Sequence, residues 1–169
     1  STRGLIPVDN CLLEDQECDR IIVTIRTLLK SFKLFPYDGR KGTGFLRHVL
    51  VRKGFATGKI MVVLVTAKPM FPSKKNFINA LLQAHPQITT IIQNISDQPM
   101  ELVLGEREQV LYGPGVIEDV LCGCQFQISS RSFYQVNPIQ TEYLYTKAVE
   151  LAGLTGEETV IDAYCGTGT

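Results

Sequence analysis

The sequence predicts an α+β domain with a largely antiparallel sheet over residues 1–130, followed by the opening of a doubly wound α/β domain over residues 131–169. Three observations predict this fold class. Apolar residues recur at helical spacing near the N-terminus, and short runs rich in Val, Ile and Leu alternate with turn signals in the middle. At the end, a helix, a strand and a Gly-rich turn follow one another.

The N-terminal part predicts a short strand over 5–12 and a helix from about Glu14 to Lys33. The apolar stripe of this helix consists of Ile21, Ile25, Leu28 and Phe32. Acidic residues stand in its first turn and lysines in its last, which suits the helix dipole. Pro36 and the Asp38-Gly39 pair then end the element.

The middle of the chain predicts an antiparallel hairpin, because two strand-like runs flank a short connection that ends in Gly58. The runs are Phe45–Phe55 and Lys59–Thr66, and the second is continuously apolar over Ile60–Val65, which indicates a central strand. A helix over about Lys75–Ala84 follows. The further predicted strands are Ile88–Ile95, Glu101–Leu104, Gln109–Tyr112 and short strands within Val116–Ile128.

In residues 131–169, the sequence pattern predicts a helix and marks both of its ends. Asn137 can cap its start, Pro138 suits its first position, and Gly153 fits just past its end. Its apolar stripe consists of Leu144, Ala148 and Leu151. A short buried strand is predicted at Thr159–Ala163, and it leads into the Gly-rich turn.

Charge gives no general sign of a nucleic-acid partner, because 17 basic and 17 acidic side chains cancel. One local basic patch consists of Arg40, Lys41, Arg47, His48, Arg52, Lys53 and Lys59. It is either a solvated hairpin face or an RNA-binding surface, for which the candidates are Arg47, His48, Arg52 and Lys53. No apolar run reaches the roughly 20 residues that span a bilayer, so no membrane partner is expected.

The five cysteines are an odd number, and no signal peptide accompanies them, so a reduced cytoplasmic setting is expected. The spacing of Cys122-Gly-Cys124 is tighter than that of a zinc knuckle. These two residues are therefore predicted to be buried small hydrophobes.

The Gly-rich turn carries the candidate chemistry. Gly166 and Gly168 permit positive φ and allow backbone N–H groups to approach a ligand. Asp162 lies at the carboxyl end of the predicted strand, where open α/β sheets bind ligands. Taken alone, Gly-x-Gly also fits an ordinary tight turn or a dinucleotide fold.

The wider context is more specific. The stretch Ser132–Gln140 (SFYQVNPIQ), followed by Asp162–Thr169 (DAYCGTGT), resembles the RNA uracil-5-methyltransferase family. The stretches Phe45–Arg52, Ile92–Ile95 and Leu104-Gly105 resemble the central domain of that family. The resemblance therefore covers nearly the whole chain. It implies that residues 131–169 are the N-terminal part, cut short, of a Rossmann-like S-adenosylmethionine-dependent methyltransferase domain.

The resemblance also implies a cofactor site for S-adenosylmethionine. Its members would be Gln135, Tyr164, Gly166, Gly168 and Thr169. Two alternatives stay open: a role of Gln135 in bracing the next helix only, and a core position for Tyr164. The resemblance places the nucleophilic cysteine and the catalytic base beyond Thr169, so these 169 residues are expected to be inactive. Cys165 matches the cysteine of the turn itself, whose expected role is packing.

The resemblance implies one possible metal ligand. The segment Ile6–Cys11 resembles the one that carries the last of four cysteines around an iron–sulfur cluster in many members of the family. Cys11 is thus a candidate ligand of a 4Fe–4S cluster or a plain buried cysteine. Cys18 matches no ligand position.

The expected function is methyl transfer to C5 of a uridine in RNA. The expected substrate is bacterial 23S ribosomal RNA, with transfer RNA as the alternative. A rival of another class is a non-catalytic RNA-binding module. A dinucleotide-dependent oxidoreductase is a third interpretation, although no acidic ribose-binding residue can be named for it.

Overall fold

The computed structural model describes residues 6–97 and 102–168 of the chain. Its elements are helix α1 (Gln16–Ser31), strands β1 (Leu46–Lys53) and β2 (Ile60–Thr66), helix α2 (Lys74–Ala84), strands β3 (Ile88–Ile95), β4 (Arg107–Tyr112), β5 (Ile117–Leu121) and β6 (Cys124–Ile128), and helix α3 (Pro138–Ala152). Among the described residues, no helix is long and apolar enough to cross a membrane.

Four strands form one sheet in the order β1-β2-β3-β4, and β5 and β6 form a separate antiparallel hairpin. The β1–β2 and β3–β4 pairs are antiparallel, which confirms a largely antiparallel architecture and the predicted β1–β2 hairpin. The β2–β3 pair is parallel, and α2 provides the crossover between its strands. Parallel strands need such a crossover, whereas a short turn suffices for antiparallel ones.

One face of the sheet is covered by α1 and α2. The predicted stripe of α1 supplies Ile21 and Ile25, which are buried against Phe77 and Leu81 of α2. The sheet contributes alternate residues of β2 to the same core, namely Ile60, Val62 and Leu64. The helical spacing read from the sequence thus identifies the face of α1 that packs.

The opposite face of the sheet packs against the β5–β6 hairpin. Met61, Val63 and Val65 of β2 meet Ile117 and Ile128 there. Every residue of β2 is buried, because the strand has neighbours on both edges and apolar layers on both faces. This confirms the prediction that it is a central strand.

Three predictions about the part of the chain before α3 are wrong. The described part of the predicted strand over 5–12, residues 6–12, forms no strand, and Leu102–Leu104 forms none either; Leu5 and Glu101 lie outside the described residues. Cys122 and Cys124 are exposed, not buried. Cys122 and Gly123 form the two-residue turn between β5 and β6, with positive φ at both, and a turn of this kind lies at the surface.

Of the helix and the strand predicted at the end of the chain, only the helix is present. The Asn137 side chain accepts a hydrogen bond from the Gln140 N–H at 3.2 Å, Pro138 begins α3, and Gly153 ends it at φ 59°. The segment 159–163 is not a strand, and its apolar side chains are exposed. A strand exists only through hydrogen bonds to neighbouring strands, and no described strand pairs with this segment. The apolar stripe of α3 is exposed as well.

His85 makes stability depend on pH. Its side chain is buried between α2 and α1, with Nε2 2.7 Å from Thr24 Oγ1. Burial, and secondly the charge of Arg20, lower the pKa of His85, although Glu17 acts in the opposite direction. Burial and Arg47 also lower the pKa of His48.

We expect the free energy of unfolding to fall as the pH is lowered from 7.5 to 5.5. A lowered folded-state pKa means that the unfolded chain binds the proton first, at about pH 6.5. The stabilisation is therefore complete above that pH and is lost as the pH falls through the folded-state value. Urea denaturation at both pH values measures the free energy of unfolding. The control is His85→Gln, whose side chain at position 85 does not titrate. A His85→Gln variant with the same pH dependence as the wild type would contradict the assignment to His85.

Candidate functional site

An open cavity of about 850 Å³ lies along β1, which is an edge strand of the sheet. Its walls are the start of α1 and the residues before it (Leu13–Asp15, Cys18, Ile22), most of β1 and the turn after it (Val49–Lys53, Phe55), and Ile128 with Ser132–Val136. The cavity brings together Arg52, Lys53 and Gln135, which the sequence analysis assigned to two different ligands. Arg47 and His48 do not line it.

Lys53 ties β1 to the start of α1. Its Nζ lies 2.9 Å from a carboxylate oxygen of Asp15 and 2.9 Å from one of Glu17. Burial alone would lower the pKa of Lys53, but the hydrogen bonds to Glu17 and Asp15 raise it overall. Asp15 also caps α1 by accepting hydrogen bonds from the N–H groups of Glu17 and Cys18. Two carboxylates thus offset the positive charge of Lys53 within the cavity wall.

Arg52 and Arg47 are also engaged within the chain. Arg52 Nη1 donates to the carbonyl of Ser132 at 2.7 Å, and burial lowers the pKa of its guanidinium. Arg47 Nη1 donates to the carbonyl of Ser96 at 3.1 Å, and its guanidinium lies 4.7 Å from the ring centre of Tyr37. Arg47, Arg52 and Lys53 therefore also hold the fold together, and Arg52 anchors the start of the segment 132–136 at Ser132.

Asp119 is a buried carboxylate that the sequence analysis missed. It is 1% exposed and accepts hydrogen bonds from the N–H groups of Phe55 (3.1 Å), Ala56 (2.9 Å) and Thr57 (3.3 Å) in the β1–β2 turn. It also accepts one from the hydroxyl of Tyr134, at 3.2 Å. A signal exists in the sequence, because Asp119 occupies an inward position of β5, between Ile117 and Leu121. A carboxylate at such a position needs donors from elsewhere in the fold.

Tyr134 stands directly before the predicted cofactor residue Gln135. Burial, followed by the charge of Asp119 and the hydrogen bond to it, raises the pKa of Tyr134 to about 12. The hydroxyl is therefore protonated at neutral pH and remains a donor to Asp119. The ring of Tyr134 lies 6.1 Å from that of Phe126 on β6.

The Gly-rich turn has the predicted positive φ angles, 56° at Gly166 and 84° at Gly168. The N–H of Gly168 donates to the carbonyl of Cys165 at 2.7 Å, which closes the turn. A Cβ built at either glycine would find no atom within 4 Å, so the turn faces open space in which a ligand has room. Tyr164 is 96% exposed, which excludes a core role in this structure. Thr169, the fifth predicted cofactor residue, lies outside the described residues.

The turn lies beside the segment that carries Gln135. Thr167 Oγ1 donates to the carbonyl of Phe133 at 3.4 Å, a long hydrogen bond. Gln135 is half-buried and follows Phe133 by two residues. The structure therefore brings two motifs that are separated by about 30 residues onto adjoining stretches of backbone. Their glycines and polar groups fit the requirements of a nucleoside cofactor, which needs close backbone approach and hydrogen-bond partners.

The described residues alone do not form an iron–sulfur site, so the cluster stays a prediction for the full-length protein. Cys11 is half-buried, and its N–H donates to the Asp19 carboxylate at 2.8 Å. Over residues 6–97 and 102–168, no group of three or more His, Cys, Asp or Glu side chains is arranged to hold a metal. One thiolate does not hold a four-iron cluster. Cys18 lines the cavity, and burial, with the charge of Asp15, raises its pKa to about 11, so its thiol is protonated at neutral pH.

Comparison with known proteins gives no matching family model, but it gives close relatives. An uncharacterized RNA methyltransferase of Clostridium acetobutylicum is 47% identical over 165 residues, which cover 98% of this chain and 36% of the relative. One of Enterococcus faecalis is 42% identical over 170 residues, which cover 100% of this chain and 37% of the relative. The chain thus spans a little over a third of the length of these proteins.

A solved structure shows the same fold. The tRNA (uracil-54, C5)-methyltransferase of Pyrococcus abyssi, in complex with S-adenosyl-L-homocysteine, matches with a TM-score of 0.68 and 24% identity. The match covers 88% of this chain and 35% of the other. The family resemblance predicted from the motifs is confirmed. This chain belongs to the same family as the bacterial RNA methyltransferases that it matches.

Proposed function

We propose that this protein transfers a methyl group from S-adenosylmethionine to C5 of a uridine in RNA, with 23S ribosomal RNA as the substrate. Relatives named RNA methyltransferases support the reaction class, and the motifs around Gln135 and Gly166 support the cofactor. One observation carries the assignment to this chain. The Thr167 hydroxyl of the Gly-rich turn donates to the carbonyl of Phe133, two residues before Gln135, which supports a ligand site shared by both motifs.

The proposed cofactor wall consists of Gln135, Tyr164, Gly166 and Gly168, with Thr169 next to them in sequence. The two glycines allow backbone N–H groups to approach the ligand, and the exposed ring of Tyr164 offers an apolar surface. The side-chain amide of Gln135 can both donate and accept hydrogen bonds. Bound S-adenosylmethionine would supply the electrophilic methyl group. We propose no nucleophile or base within these residues, and residues 1–130 and 131–169 remain the proposed domains.

The proposed RNA contacts begin at β1. The proposed residues are Arg47, His48, Arg52 and Lys53. The carboxylates beside Lys53 and the carbonyl bound by Arg52 already occupy hydrogen-bond donors of these two side chains, so fewer remain for a phosphate. We therefore propose that the exposed Arg40 and Lys41, in the turn before β1, add to the contact. Transfer RNA is the second candidate substrate, because the Pyrococcus abyssi neighbour is a tRNA methyltransferase.

We expect S-adenosyl-L-homocysteine to bind this chain and Gln135→Ala to weaken the binding by roughly tenfold. The loss of one hydrogen bond to a polar or charged ligand group is of this size, about 1.4 kcal/mol. A titration followed by amide NMR checks both points, because it also locates the site. The expected shifts lie at Gln135, Tyr164, Gly166 and Gly168.

The matched control is Gln125→Ala, because Gln125 is exposed on β6 and is not part of the proposed wall. Equal affinity of Gln135→Ala and wild type, or shifts confined to other regions, would refute the proposed cofactor site. Parallel titrations with labelled 23S ribosomal RNA segments and with transfer RNA, at matched salt, decide between the two substrates. Salt must be matched because phosphate contacts make RNA affinity strongly salt-dependent.

A further inference from the structure

We propose that Asp119 is a positioning residue for cofactor binding. It acts through the hydroxyl of Tyr134 and so fixes the direction in which the Gln135 side chain points. The inference rests on the proposed function, because it takes Gln135 as a contact of S-adenosylmethionine. Asp119 itself is not proposed to touch the cofactor, since it is 1% exposed.

The segment that carries Gln135 has no hydrogen-bonded regular structure of its own. Residues 132–136 lie between β6 and α3 and belong to neither element. A backbone of this kind is held in one conformation only by contacts with its surroundings, because nothing within the segment restricts it. The contacts of its side chains and carbonyls therefore decide where Gln135 points.

Two of these contacts hold residues that lie shortly before Gln135, namely Ser132 and Tyr134. Arg52 donates to the carbonyl of Ser132 at 2.7 Å, and the Tyr134 hydroxyl donates to Asp119 at 3.2 Å. The Tyr134 ring also packs near Phe126, which is the register partner of Asp119 across the β5–β6 hairpin. Tyr134 is thus held at its ring by one strand of the hairpin and at its hydroxyl by the other.

Asp119 is itself rigidly placed. Three backbone N–H groups of the β1–β2 turn, at Phe55, Ala56 and Thr57, bind its two oxygens, and its strand is paired along its length. An ionised carboxylate offers about four acceptor positions, so the Tyr134 hydroxyl fills the one that remains. The carboxylate therefore connects the turn after β1, which forms part of the cavity wall, to the residue before Gln135.

Tyr134→Phe is the variant that tests the proposal, because it removes one hydroxyl and keeps the ring. We expect it to weaken binding of S-adenosyl-L-homocysteine by roughly tenfold, the size of effect expected when one ordering hydrogen bond is lost. The ¹⁵N order parameter of the Gln135 amide, which reports backbone order on the picosecond–nanosecond timescale, should fall, whereas the order parameters in β2 should stay unchanged. Tyr143→Phe, at an exposed position of α3, should behave like the wild type in both measurements.

Asp119→Asn is the second variant, and it should reproduce both changes if it folds. The proposal is overturned if Tyr134→Phe leaves the affinity and the Gln135 order parameter unchanged. It is also overturned if the order parameters in β2 fall equally, because the hydroxyl would then serve stability alone. If the wild-type chain does not bind S-adenosyl-L-homocysteine, the proposed function fails at its cofactor. The order parameter at Gln135 then still decides whether Asp119 and Tyr134 order this segment.

Discussion

Phe77→Ala is expected to lower the free energy of unfolding by about 3–5 kcal/mol, the usual range for a large aromatic side chain in a packed core. Phe77 is 1% exposed and lies between α2 and the sheet. Its ring centre is 5.5 Å from that of Phe32 and 5.3 Å from that of Phe71. The variant therefore removes buried apolar area and two aromatic contacts, and it leaves a cavity between α1 and α2.

Urea denaturation followed by circular dichroism measures this effect. Because small domains are stable by only about 5–15 kcal/mol, a loss of this size is a large share of the total stability. Phe77→Leu keeps most of the volume and should retain a measurable transition. The control is Phe35→Ala, at a position that is 70% exposed and should matter little. If Phe77→Ala and Phe35→Ala lowered the free energy of unfolding by similar amounts, the assignment of Phe77 to the core between the helices and the sheet would be wrong.

Asp119→Ala is expected to lower the free energy of unfolding by about 2–4 kcal/mol, because it removes an acceptor that serves four donors at once. Three of the donors are backbone N–H groups of the β1–β2 turn, and the fourth is the Tyr134 hydroxyl. The turn residues are exposed, so water can replace part of what they lose. We therefore expect a smaller loss of stability than the summed cost of leaving four buried donors without an acceptor.

The measurement is again urea denaturation, with Glu118→Gln as the matched control. Glu118 is the neighbour of Asp119 in β5, but it is exposed and forms one surface ion pair with Lys59. Exposed pairs of this kind contribute little, so the control should unfold near the wild-type midpoint. If Asp119→Ala unfolded at the same urea concentration as Glu118→Gln, the four hydrogen bonds would have no net effect on stability.

The sequence by itself determines the elements whose signals are local. Helical spacing identifies the packed face of α1, and the unbroken apolar run Ile60–Val65 identifies the central strand. Asn137, Pro138 and Gly153 mark the ends of α3, because caps depend on residues within one turn of the helix end. The two motifs around Gln135 and Gly166 are likewise short and contiguous, so they could be recognised before any fold was known.

Only the tertiary structure decides which distant residues meet. It pairs β2 with β3 in parallel, leaves the apolar segment 159–163 unpaired, and places Lys53 between two carboxylates. It also joins Asp119 to Tyr134 and so links the β1–β2 turn to the residue before Gln135. A strand needs a partner strand, and a buried carboxylate needs donors. Both come from parts of the chain that local patterns do not connect.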